Sequence, residues 1–362
     1  MRLLFVGTGN GGGGTESHFI TLAKAMSSLN HDVAVVVQSG TPIHKSLIES
    51  NVMLYFGFFR NATDLRGFVP VWKAISQFKP DWIIGSFSKE YWPLTLLCKL
   101  RKIKLALFKH MDYPLRFMTH HFIPRLADRF IVISNFMLHS FINRGICAAR
   151  IQMLYNPLDI NYFKVSLTLR QSRRSELGYC DDDCVIGFVG AMHPDKGMLP
   201  LCDALNQAIK QNPRVKAIWL GDGLATNDLK IKIQTGGFPA HHQCYPWTDD
   251  VRPYFAVIDI LAVPTLITES FGRVSIEAQA LGIPVLCSNL GGLPETLLPD
   301  VTGKLLPVGD VTAWRDAILD LTNDASHYLE IKNNGRQWVS SQFGTEEIAK
   351  KFTAILSHDQ VS

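Results

Sequence analysis

Twice along this chain the same rhythm recurs: short, continuous runs of β-branched and aliphatic residues, each separated from the next by a segment long enough for a helix. In the first half the runs are residues 3–6, 33–37, 82–84, 105–108 and 130–133; in the second they are 185–189, 217–220, 260–263 and 284–286. Runs that are apolar throughout, rather than alternating, fit strands buried on both faces, as in parallel sheets covered by helices. A polar stretch, 166–183, separates the two series. The expected architecture is α/β, with two doubly wound Rossmann-like parallel-sheet domains facing across a cleft, over 1–165 and 166–342. A final segment, 343–362, has helical spacing. The 362 residues suit two cores of ordinary size.

Other classes fall away on simple grounds. Hydrophobic residues make up 47% and charged residues 19%, a globular balance. The apolar run near the N-terminus is far shorter than a signal peptide requires. The longest apolar candidate for a membrane span, 255–267, is interrupted by Asp259 and Pro264. Cys98, Cys147, Cys180, Cys184, Cys202, Cys244 and Cys287 form no CxxC and no paired framework. They are expected to be mostly buried thiols of a reducing, cytoplasmic compartment.

The charge is unevenly distributed. Residues 1–165 carry 19 Lys and Arg against 9 Asp and Glu, a balance of +10; the remainder carries 17 against 23, a balance of −6. Much of the excess lies in Lys99, Arg101, Lys102, Lys104, Lys109, Arg116, Arg125 and Arg129, interleaved with Phe108, Tyr113, Phe117 and Phe122. A solvated helical face would account for this pattern; so would attraction of the N-terminal half to an anionic membrane surface or a phosphorylated lipid. No nucleic-acid recognition motif accompanies the charge, so nucleic acid is not an expected partner.

In open parallel sheets ligands sit beyond the carboxyl ends of the strands. Gly7-Thr8-Gly9-Asn10-Gly11-Gly12 matches GxGxxG after a strand and before a helix. A dinucleotide site would also need an acid at the end of the second strand, where this chain has Gln38 and Ser39; Asp32 is at the wrong end. What remains is a glycine tract opening a helix, a setting that favours anions. Thr15 reads as an N-cap and Glu16 as a favourable first-turn acid. In the second half, Gly190-Ala191-Met192-His193-Pro194-Asp195-Lys196-Gly197 follows a strand, and Glu269-Ser270-Phe271-Gly272-Arg273-Val274-Ser275-Ile276-Glu277 runs from a loop into a helix. One carboxylate is then in the loop and the other inside the helix, where it can accept hydrogen bonds from vicinal hydroxyls. Asp181-Asp182-Asp183 is a literal DxD, but it precedes a strand and is not expected to hold a metal.

Taken in order, these motifs resemble glycosyltransferase family 4, retaining enzymes of the GT-B fold. Gly13-Gly14-Thr15-Glu16 is similar to the family's GGxE loop, and Gly190 to Gly197 to its GRxxxxKG loop. Gly221-Asp222-Gly223 resembles its GxG turn, Glu269 to Glu277 its Ex7E signature, and Gly291-Gly292-Leu293-Pro294-Glu295 its GGxPE loop. The resemblance implies transfer of a sugar, with retention, from a UDP-, GDP- or ADP-sugar to a glycan or lipid-linked acceptor, without metal or cofactor. It implies that Glu277 holds the donor ribose, and that Lys196 with the backbone around Gly13, Gly14, Gly190, Phe271 and Gly272 neutralises the diphosphate. Glu269 and His110 would contact the transferred sugar, and the C-terminal helix would cross back onto the N-terminal domain. Ala191 departs from the pattern, standing where the family has arginine; Arg273 is the residue expected to compensate. Two other readings stand beside this one: a nicotinamide-dependent oxidoreductase using the first glycine tract, and a sugar-nucleotide binding protein without turnover.

Overall fold

The computed structural model describes residues 1–357, and it divides into two units, one made of residues 1–159 with the chain from Phe343 onward, the other of residues 160–342. The division thus falls six residues before the boundary read from the sequence.

The first unit runs β1 (Arg2–Gly7), α1 (Gly14–Ser28), β2 (Asp32–Val37), α2 (Pro42–Leu47), β3 (Met53–Phe56), α3 (Phe68–Phe78), β4 (Trp82–Gly85), α4 (Tyr91–Arg101), β5 (Lys104–Lys109), α5 (Phe117–Leu126), β6 (Arg129–Val132), α6 (Asn135–Asn143) and β7 (Ile151–Met153). Its seven strands are all parallel, in the order β3-β2-β1-β4-β5-β6-β7. The second unit runs α7 (Leu167–Glu176), β8 (Cys184–Val189), α8 (Met198–Gln211), β9 (Val215–Leu220), α9 (Thr226–Thr235), β10 (His242–Tyr245), α10 (Arg252–Phe255), β11 (Ile260–Val263), α11 (Arg273–Ala280), β12 (Val285–Ser288), β13 (Gly303–Leu306), α12 (Val311–Asn323) and α13 (Ala325–Phe343). Its six strands are parallel in the order β10-β9-β8-β11-β12-β13. In each sheet the order of connection reverses once, between β1 and β4 and between β8 and β11. Those switch points are where an open parallel sheet presents its ligand crevice.

The last helix, α14 (Thr345–Ser357), belongs to the first unit. Its Ile348, Ala349, Phe352 and Leu356 join the core formed by β1, β2 and α1, and the Arg129 Nε–H donates to the Ile355 carbonyl at 2.7 Å, so a buried cation sits at the negative end of the helix. Residues 358–362, which the sequence reading included in this helix, lie outside the described residues.

The polar stretch 166–183 between the two series folds in part as α7, whose Arg174 is buried and donates to the carbonyls of Val257, Cys180 and Asp183 and to Asp259. Arg170 pairs with the same carboxylate, which also accepts from the Val185 amide at 2.8 Å. These charged groups are satisfied by the backbone starts of β8 and β11, which is why so polar a helix is held in place. Thr15 is not an N-cap, because α1 begins one residue earlier and Gly13 caps it without a side-chain bond. Of the cysteines, all free, Cys98, Cys202 and Cys287 are buried and Cys147 and Cys180 exposed, so the expectation of mostly buried thiols is too broad.

Candidate active site

In the second unit the loops after β8 and β11 meet at the switch point. Lys196 closes a short 3-10 turn, Pro194–Lys196, and its ammonium is paired with the Glu269 carboxylate. Backbone packing fixes the approach. Gly197 has φ +73°, and a Cβ there would lie 1.8 Å from the Pro264 carbonyl oxygen, so no other residue fits. The Leu266 amide donates to Asp195 O at 2.7 Å, tying the loop after β11 to the turn that carries Lys196. Glu269 is held from the other side, for its carbonyl accepts the Gly292 amide at 2.8 Å. The GGxPE turn therefore acts as a buttress for the glutamate loop. Gly190 follows β8 with its amide committed to Leu220 O at 3.0 Å, and Phe271 is buried.

Helix α11 opens at Gly272, which has φ +106°, so Arg273 and Val274 supply the first helical amides, without intrahelical acceptors. A buried polar network holds this helix end. Gln279 Nε2 donates to Ser275 Oγ at 3.2 Å and Thr296 O at 2.7 Å, and the Thr296 hydroxyl, which donates to the Leu293 carbonyl at 2.7 Å, lies 2.9 Å from Ser275 Oγ. Glu277 accepts from Arg273 Nε at 2.7 Å, one turn earlier. Burial pushes the Glu277 carboxyl above its usual range, and Arg273 opposes that shift. Arg273 is thus paired with Glu277 on its own helix, while its Nη1 is buried and has no protein partner. His193, also near Ala191 in the sequence, has its Nδ1 3.2 Å from an Asp195 carboxylate oxygen.

In the first unit a carboxylate again joins the two loops at the switch point. Glu90, after β4, is fully buried; one of its oxygens accepts the Thr8 amide at 2.7 Å and the Thr8 hydroxyl at 2.6 Å, while Lys89 Nζ donates to Thr8 O at 2.7 Å. Thr8 stands at the start of the glycine tract, and Gly11 to Gly14 beyond it are exposed. His110 follows β5. Its ring lies 4.6 Å from that of His18 and is stacked on Phe108, and its Nε2 is buried without a protein partner. Burial, and then the neighbouring Lys109, push its pKa down to about 3, so the imidazole is neutral. His120 is partly buried and His121 exposed.

Glu90 and His18 escaped the sequence reading. His18 falls four and eight residues before Leu22 and Met26 on the buried stripe of α1, a spacing that marks it as facing the sheet. Glu90 lies in the turn that follows a fully buried strand ending at Gly85, and no periodicity announces a lone acid in such a place. Desolvation raises its pKa to about 7, against the opposing bonds from Thr8 and Phe87 and the charge of Lys89. The folded chain therefore holds this proton more tightly than the unfolded one. Stability associated with the neutral acid is lost as pH rises from about 4.5 to about 7 and is constant above. The Glu90→Gln variant cannot ionise, so its melting temperature is expected to gain on the wild type across that interval and hold a fixed offset beyond it. A fixed offset at every pH would refute this assignment.

Among the described residues no cluster of His, Cys, Asp and Glu is arranged to hold a metal ion; Asp183 accepts from the Cys180 amide at 2.8 Å, as part of a turn. The oxidoreductase alternative lacks its acid here as well, since β2 ends at Val37 and Asp32 begins it.

Comparisons with known proteins agree with this geometry. Residues 12–162 match the family model described as Glycosyltransferase Family 4, and residues 183–324 match Glycosyl transferases group 1. Curated relatives include the D-inositol 3-phosphate glycosyltransferases of Mycobacterium bovis and Mycobacterium tuberculosis, 30% identical over 249 residues, which is 65% of this chain and 50% of theirs. The chain thus spans about half the length of these relatives. Among solved structures, HepE of Anabaena in complex with UDP-glucose superposes with a TM-score of 0.84 at 24% identity, over 99% of each chain. A glycosyltransferase of Rickettsia africae gives 0.86 at 19% identity, over 98% of this chain and 97% of that one. With both halves matched in order by these family models, the chain belongs to glycosyltransferase family 4 and has the GT-B fold.

Proposed function

We propose that the protein transfers a sugar from a nucleoside diphosphate sugar to a hydroxyl of a glycan or lipid-linked acceptor, with retention at the anomeric carbon, in assembly of a cell-surface polysaccharide or lipopolysaccharide. The observation that carries this reading is the Lys196–Glu269 pair at the switch point of the second unit, beside a helix N-terminus and Glu277. In this reading Glu277 accepts the ribose hydroxyls. Lys196 and the amides opening α11 and α1, at Gly272, Gly13 and Gly14, stabilise the diphosphate. Glu269 and the neutral His110 imidazole contact the sugar. The acceptor oxygen bonds to the anomeric carbon as the bond to the phosphate oxygen breaks, and the departing phosphate takes the acceptor's proton. The +10 balance of residues 1–165 favours an anionic acceptor or membrane surface on the cytoplasmic side.

A second reading, binding without turnover, rests on a specific observation: Ala191 replaces a cation, Lys196 is paired with Glu269, and Arg273 is paired with Glu277. Thermal unfolding with UDP, GDP, ADP and NAD, followed by an assay of nucleoside diphosphate release from the matching sugars, separates the readings. The likeness to HepE, whose crystals contain UDP-glucose, makes UDP the first ligand to test. Saturating UDP is expected to stabilise the fold by about 2.7 kcal/mol at 100 times its Kd. Stabilisation without release under any acceptor would favour the binder, and stabilisation by NAD alone would overturn both.

A further inference from the structure

Thr8 stands at the root of the first glycine tract. Gly7, Thr8 and Gly9 are buried, whereas Asn10 to Gly14 are exposed as far as the first residue of α1. Every polar group of Thr8 is taken by two consecutive residues of the loop after β4. Its amide and its hydroxyl donate to the same Glu90 oxygen, at 2.7 and 2.6 Å, and its carbonyl accepts from Lys89 Nζ at 2.7 Å. The other Glu90 oxygen accepts the Phe87 amide at 3.3 Å, so the carboxylate is held from its own turn as well.

The glycines on either side of Thr8 are walled in. A Cβ at Gly7 would fall 2.4 Å from the Phe19 ring, and one at Gly9 would fall 2.3 Å from the Phe87 ring. Farther along, the surroundings change: a Cβ at Gly11 or Gly13 would meet only Glu16, on α1 itself, and one at Gly12 or Gly14 would meet nothing within 4 Å. The exposed arm of the tract therefore leans on its own helix, and its course is set where it leaves the buried root. A buried acid is a costly way to hold a loop, because desolvation offsets much of what its bonds contribute, and an apolar side chain of similar volume often stabilises as well. What a satisfied polar network adds is rigidity and direction.

We propose that Glu90 is a positioning residue for sugar transfer: through Thr8 it aims the exposed arm of the glycine tract, so that the amides opening α1 meet the departing diphosphate in one conformation. This role rests on the transfer reading and adds to it a residue that touches neither donor nor acceptor. Negative charge grows on the leaving phosphate as the bond to the sugar breaks, and amides fixed beforehand meet it without reorganising. A displacement of about 1 Å in such a group costs on the order of 100-fold in rate.

The test is hydrolysis of the UDP-, GDP- or ADP-glucose whose nucleotide stabilises the wild type, with kcat and KM measured for four variants. Thr8→Val keeps the shape and the amide bond but removes the hydroxyl bond, and is expected to lower kcat about 10-fold; Glu90→Leu removes both and is expected to lower it about 100-fold. KM and the stabilisation by the nucleotide are expected to stay within about threefold, since Lys196 and Glu277 of the second unit are untouched; that stabilisation also reports that each variant is folded. Thr8→Ser restores the hydroxyl and Glu90→Gln the accepting oxygen, and both are expected within about threefold of the wild-type kcat. Hydrogen exchange is expected to quicken at the Thr8 amide in Glu90→Leu and to stay unchanged at Leu4, inside β1. Wild type that binds a nucleotide but hydrolyses none of these sugars would sink the transfer reading, and this role with it. Wild type that turns over while Thr8→Val and Glu90→Leu keep pace would overturn the proposal alone. So would a fall in Thr8→Ser as deep as in Thr8→Val, or equal losses of turnover and nucleotide affinity, which would make the tract a binding element.

Discussion

The Glu269→Gln variant is expected to bind UDP more tightly than the wild type while transferring sugar about 10² to 10³ times more slowly. The opposite signs follow from one contact. Lys196 is paired with Glu269, and both side chains are partly exposed, so the carboxylate neutralises the ammonium that the diphosphate would meet. Glutamine keeps the shape and removes the competing charge, leaving Lys196 wholly available; an ion pair of this exposure accounts for a gain of about fivefold at most. In the proposed reading, transfer needs the carboxylate for a different reason: as the bond to the leaving phosphate breaks, positive charge develops at the sugar and negative charge at the phosphate, and Glu269 and Lys196 would meet the two. Calorimetric titration of UDP with a release assay on UDP-sugars reads both quantities. Weaker UDP binding with unchanged turnover would remove Glu269 from the chemistry and assign it to holding the loop.

What the sequence discloses about this fold, and what it conceals, divides along a physical line. Every run read as a strand is a strand. The four strands left unread are β3, β7, β10 and β13, and these are the two edges of each sheet. A central strand is covered on both faces and must be apolar throughout, as in the fully buried Trp82–Gly85. An edge strand is partly solvated, so Met-Leu-Tyr-Phe and His-Gln-Cys-Tyr carry exposed and half-buried positions and resemble the loops around them. The motif glycines were legible for a related reason: Gly197 and Gly272 occupy backbone conformations at close approaches that leave few substitutes. Partnerships between loops were not legible. Nothing in the order of residues states that Glu90 holds Thr8 or that Lys196 meets Glu269, because each depends on which loops the sheet order brings together; the Arg273–Glu277 pair, four residues apart on one helix, was open to reading from its spacing. That both units link their switch-point loops through a buried or half-buried carboxylate is visible only once the strands are in place.

Replacing Glu277 with alanine is expected to abolish the thermal stabilisation by UDP and to lower the stability of the free protein, and the two effects have separate causes. A ribose diol donates two hydrogen bonds to a carboxylate, each worth about 1.5–3 kcal/mol when the acceptor is charged, so affinity falls by about 100-fold or more. The carboxylate must be ionised for this. Arg273 opposes the upward shift that burial imposes on it. Removing Glu277 also strands Arg273, whose Nη1 has no protein partner and whose side chain is largely covered, with an expected loss of about 1–3 kcal/mol. Adding Arg273→Met to Glu277→Ala takes away the stranded charge while keeping an apolar stem of similar length. The double variant is therefore expected to recover most of the lost stability and none of the nucleotide binding. Should it recover both, Glu277 serves only to hold Arg273, and the ribose contact must be sought elsewhere in the second unit. Should it recover neither, the pair contributes packing that neither charge alone explains.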